Sequence, residues 1–133
     1  MGWEVRGLAT LRIENAELVI GLSIRERFAA LRRDVRVPPE AVYSVAVEPH
    51  PFAAIRGTRL SGSSLPAAFA YGSWLQRDAS RDFYALNSSV PAVRVAFDPS
   101  APYRRLLVSV ADPQAAVDML RAAVPSLAGP GAA

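Results

Sequence analysis

The stretch 103–125, YRRLLVSVADPQAAVDMLRAAVP, constrains the fold more than any other. Leu106, Val108 and Val110 alternate with Arg105, Leu107 and Ser109, the period of a half-buried strand. Asp112 follows as an N-cap, because its carboxylate can accept the orphan N–H groups of a first helical turn. Pro113 suits the first helical position, where its missing N–H costs no hydrogen bond. Ala116, Val117, Leu120, Ala123 and Val124 then recur at three- and four-residue spacing, one apolar stripe. Asp118 and Arg121 fall off that stripe, and Pro125 is the expected stop. A helix this short is marginal alone, so its stripe must dock on something.

What precedes it supplies mostly strands. Ala9, Leu11 and Ile13 alternate, 14–17 is a polar turn, and Leu18, Ile20 and Leu22 alternate again, a β-hairpin pattern. Ser23 and Glu26 match a capping box, and Ile24, Phe28 and Leu31 share a helical face, so a short helix is expected near 24–32. Val35 and Val37 form a brief strand, ended by two prolines. Tyr43, Val45 and Val47 form the next. Residues 49–66, with three prolines and two glycines, read as the least regular internal stretch, the kind of long loop that often carries function. Further strands are expected over 67–75, 82–86 and 93–97.

The strands recur at short intervals, which leaves little room for parallel crossovers. The reading is therefore mainly β, a β-rich α+β chain. The strand spacing favours an antiparallel sandwich or barrel of about eight strands, followed by one C-terminal helix. One domain is expected over 1–125, with a disordered tail over 126–133. Asp112, Pro113, Val117, Leu120 and Val124 are its expected structural residues.

Composition removes several chemistries. With no Cys there is no disulfide, thiolate site or Cys nucleophile. His50 is the only His, set between Pro49 and Pro51, and reads as a solvated loop residue. No metal, cofactor or catalytic residue is expected, and an enzyme is the least supported reading.

All 15 basic residues are Arg, which with abundant Ala and Pro suits a GC-rich bacterial genome. Net charge is only +3. It is spread evenly: nine Arg against seven acids over 1–66, and six against five over 67–133. A nucleic-acid partner is not expected on that basis. The longest uncharged run, 60–76, is broken by Pro66, Gly62 and Gly72, so no transmembrane segment is expected. No secretory signal is visible near the start, and a cytoplasmic location is expected.

Two short strings carry a resemblance. Residues 36–45, RVPPEAVYSV, are similar to the "V-P-x-x-x-V-x-S-V" segment of bacterial pleckstrin-homology-like domains, and LVSVADP at 107–113 is similar to their strand-to-helix junction. With the closing helix, the resemblance covers about 8–125. It implies an antiparallel, bent, partly open barrel of about seven to eight strands, closed at one end by the C-terminal helix, and a non-catalytic interaction module acting on a protein partner or on itself. Phosphoinositide-binding members cluster Lys and Arg in the first hairpin. Here that tip is Glu14-Asn15-Ala16-Glu17, which would repel an anionic headgroup.

The candidate binding residues are Arg56, Arg59, Gly62, Tyr71, Trp74 and Tyr84. The run 57–64, GTRLSGSS, has Ser63 where a phosphate loop needs Lys, so it reads as a turn-rich loop. Anion binding by that loop, with Arg56 and Arg59, is the alternative function. The aromatics are mostly core. Trp74 falls on the opposite face from Phe69 and Tyr71, and Tyr84 opposite Phe83, so one or both could be exposed to a partner. Arg25, Arg27, Arg32, Arg33 and Arg36 form the densest basic cluster, interrupted by Glu26 and Asp34, and read as a solvated helix face.

Overall fold

The computed structural model describes residues 10–21, 35–65, 68–87 and 91–124. The expected helix near 24–32 and the expected tail over 126–133 lie outside the described residues. Among the described residues, nine strands form two sheets. The smaller has the order β1 (Thr10–Glu14), β2 (Glu17–Gly21), β3 (Val35–Val37). The larger runs β4 (Val42–Glu48), β8 (Ala92–Phe97), β9 (Arg105–Val108), β7 (Arg81–Asn87), β6 (Phe69–Leu75), β5 (Thr58–Leu65). The C-terminal helix, α1, spans Pro113–Ala123. Among the described residues neither sheet closes on itself, so the chain has the expected strand-rich architecture, a bent, partly open sandwich or barrel with one C-terminal helix.

The first hairpin is tight because Asn15 and Ala16 both take positive φ, 52° and 62°, as a two-residue primed turn requires. That turn sets Glu14 opposite Glu17. Arg36 of β3 bridges the two carboxylates at 3.3 and 3.6 Å, and Arg12 adds a contact to Glu14 at 3.1 Å. The acidic tip is thus neutralised by neighbouring strands. Hydrogen bonds from Arg12 and then Arg36 hold the Glu14 carboxyl below its usual range.

One pairing departs from the antiparallel expectation. β9 inserts between β7 and β8, antiparallel to β8 but parallel to β7, with Asp82 opposite Arg105. No helical crossover is needed, because β8 lands one strand-width away from β7 and leaves the gap that β9 fills. This central position also corrects the half-buried reading of β9. Leu106 and Val108 face one side, Leu107 the other, and all three are buried.

On one face of the large sheet, Val45, Val93, Val95, Phe97, Phe83 and Leu106 meet Leu18, Ile20 and Val37 of the small sheet and Val117, Leu120 and Val124 of the helical region. Asp112 caps α1 as expected: its Oδ1 accepts from the Ala115 N–H at 3.0 Å, and Pro113 opens the helix. Ala123, placed on the stripe by its spacing, is exposed, while Met119 packs against the core. Arg121 donates to the Val45 carbonyl at 3.2 Å and so covers part of the β4 edge.

The opposite face of the sheet buries Ala70, Trp74, Tyr84, Leu86 and Leu107 beneath Phe52, Ala54 and Ile55. Here the stretch 49–66, read from sequence as the least regular, proves largely ordered over its described residues. Pro51–Ala54 is a 3-10 turn that covers this second core, and 58–65 is a full strand paired with β6. Of the glycines of 57–64, Gly57 is a bend just before β5 and Gly62 is a strand residue. Gly62 faces Gly72 across β5 and β6 with φ of +97° and +130°. A Cβ on Gly62 would lie 1.9 Å from the Tyr71 carbonyl oxygen, so the two backbones approach as only glycine allows.

Candidate functional site

β5, β7 and β9 begin, and β6 ends, at the same end of the large sheet. That topology gathers Arg56, Arg77, Arg81, Arg104 and Arg105. Asp82, fully buried on the same strand face as Tyr84, anchors two of them, Arg56 and Arg105. Its Oδ2 accepts from Arg105 Nε at 3.1 Å, Arg56 Nε at 3.2 Å and the Tyr84 hydroxyl at 2.8 Å. The same hydroxyl accepts from the Arg56 backbone N–H at 3.2 Å and from Arg105 at 3.1 Å. Arg105 also donates to the Ala54 carbonyl at 2.5 Å. The network therefore ties the 54–56 segment to β7 and β9. Asp82 Oδ1 has no hydrogen-bond partner among the described residues.

The two arginines differ. The Arg105 side chain is only 12% exposed and belongs to the core, whereas that of Arg56 is 53% exposed and reaches outward. Asp82 is closed off from solvent, so only the outer part of Arg56 presents this cluster to a ligand. Asp82 was not among the candidate residues read from sequence. The usable signal was Asp82 alternating with Tyr84 and Leu86 on one face, a carboxylate in an apolar row that demands a buried cation.

Burial, above all, pushes the Tyr84 phenol above its ordinary value near 10, with the Asp82 charge adding to the effect. A raised value in the folded state means stability fully present below the ordinary phenol range and lost as pH rises through the folded value. Titration of tyrosinate absorbance should therefore show a late component that coincides with alkaline unfolding. Tyr84→Phe should remove that component. If all four tyrosines of the parent titrate together below the unfolding transition, the buried network is not as described.

Arg56 opens onto a cleft of about 1020 Å³ shared with Tyr43, Gln76, Arg77, Asp78 and Arg104. Tyr43 is the extra residue of a bulge in β4 and is 60% exposed. Arg59, expected to act with Arg56, is not part of this cleft. It lies on β5 and donates to Ser64 Oγ at 2.9 Å. Tyr71, Trp74 and Tyr84 are 4%, 5% and 0% exposed, which corrects the reading of Trp74 and Tyr84 as a display surface. The opposed faces were read correctly: Tyr71 lies in the first core, Trp74 and Tyr84 in the second, with Trp74 and Tyr84 ring centroids 4.8 Å apart.

A second, apolar groove of about 280 Å³ lies on the β5–β6 side, lined by Phe52, Ile55, Leu65, Phe69 and Trp74. His50 is exposed, its N–H bonded to Glu48. No group of three or more potential metal ligands occurs among the described residues, and no described helix is long and apolar enough to cross a membrane. The chain matches no protein-family model, no curated protein and no solved structure.

Proposed function

We propose that this chain is a non-catalytic interaction module of pleckstrin-like type that self-associates by strand addition at β5. The observation that carries the reading is the edge itself. β5 is eight residues long, pairs only with β6 among the described residues, and is exposed or half-buried throughout. A sheet-edge strand can template another strand. Of five exposed large apolar side chains among the described residues, Leu60 and Leu65 lie on β5 and Leu75 lies on β6 opposite Thr58. That concentration is what a partner surface requires.

A second copy is the favoured occupant on charge. Arg59 is the one charged residue of β5. Antiparallel self-pairing about the strand midpoint sets Arg59 opposite Ser64 of the other copy, so the two cations stay apart. The bulge at Leu60 limits how far such pairing extends, which favours a closed pair over an open fibre.

Sedimentation velocity from low to high micromolar protein tests this. A concentration-dependent dimer in the parent that becomes a monomer in Leu60→Lys supports the reading. A parent that stays monomeric throughout removes it.

A further inference from the structure

We propose that the cleft between Tyr43 and Arg104 binds a small, multiply charged phosphate-bearing molecule. This assignment does not rest on self-association, since the cleft lies at the end of the sheet and not along the β5 edge. It also replaces the Arg56–Arg59 pairing expected from sequence with Arg56, Arg77 and Arg104.

Each guanidinium is available in a different way. Arg56 is fixed through Nε by a fully buried carboxylate, and none of its hydrogen bonds among the described residues uses its terminal nitrogens. A cation oriented before the ligand arrives loses little entropy on binding. Arg77 makes no hydrogen bond or ion pair to any described residue. Arg104 has one long contact, to Asp78 at 3.7 Å. Asp78 is itself occupied: its Oδ1 accepts from the Ser80 hydroxyl at 2.5 Å and the Ser80 N–H at 3.0 Å, which hold its carboxyl below the usual range. Three guanidiniums therefore face one satisfied carboxylate across the cleft.

That local excess is unlike the even spread of charge along the chain, and it arises only because the topology brings distant arginines to one end. Planar guanidinium forks match phosphate oxygens bidentately. Three of them exceed what a single carboxylate can use, which selects a ligand of two or more negative charges. The volume is ample for a diphosphate carrying an organic group, for which the exposed Tyr43 ring offers a stacking face. In the empty cleft the cations repel one another, so a bound anion should also raise thermal stability.

The test is thermal shift and calorimetry on the full chain with inorganic phosphate, pyrophosphate and citrate, against sodium chloride at matched ionic strength. Pyrophosphate should raise the melting temperature beyond chloride and beyond phosphate. Arg77→Ala, which breaks no hydrogen bond or ion pair among the described residues, should melt no lower than the parent in chloride and weaken pyrophosphate binding about tenfold. Equal shifts for all salts at matched ionic strength would overturn the proposal. So would unchanged pyrophosphate affinity in Arg77→Ala, citrate binding tighter than pyrophosphate, or a single-stranded oligonucleotide outcompeting pyrophosphate at equal phosphate concentration.

Discussion

Asp82→Ala should destabilise the protein by about 3–5 kcal/mol, the range for breaking a buried ion pair by removing one partner. The substitution strands the largely buried Arg105 guanidinium and leaves the Tyr84 hydroxyl only the longer bond to the Arg56 carbonyl, 3.3 Å. Arg56 contributes less to the loss, because its exposed outer part is solvated in either case. The carboxylate also holds together three separate pieces of chain, so its loss should free the 51–56 segment that covers Trp74 and Leu107. Urea denaturation of the parent and variant measures the difference. Domains of this kind have total stabilities of about 5–15 kcal/mol, so the variant should be close to unfolding. A loss below about 1 kcal/mol would mean the network is incidental to the fold.

Leu120→Asp should be as damaging by a different route. Leu120 is fully buried where α1 meets the large sheet, within a cluster that also holds Val117 and Val124. Truncation to Ala there removes packing worth about 2–5 kcal/mol. A carboxylate adds the cost of an unpaired charge in an apolar site, which the fold can avoid only by undocking the helix. Near-ultraviolet circular dichroism should collapse while part of the strand signal remains. Leu120→Ala is the graded control and should fold with a lowered midpoint. If Leu120→Asp melts like the parent, α1 does not close the core.

These two residues also mark how far sequence reaches. Leu120 was legible because helical spacing is a local property, and the Asp112–Pro113 start and the strand alternations were legible for the same reason. The insertion of β9 beside β7 was not, because pairing order depends on which strands meet in space and leaves no periodic trace. The run 49–66 misled for a definable reason. Its glycines and serines weaken any strand signal, yet Gly62 is needed in β5 so that it can approach Gly72. Trp74 and Tyr84 were placed on the correct face, but their burial depended on the 51–55 segment folding back over them. Arg56 was identified and its partners were not, because Arg77 and Arg104 join it only through the ends of four strands.

The central claim concerns β5, and amide hydrogen exchange followed residue by residue across protein concentration addresses it most directly. Those β5 amides that point away from β6 should exchange fast in dilute protein and become protected at high concentration. Amides of the central strands β7 and β9 should stay protected throughout. Outward β5 amides that exchange at the same rate at every concentration would contradict the account, and the interaction surface would have to be sought elsewhere on the molecule.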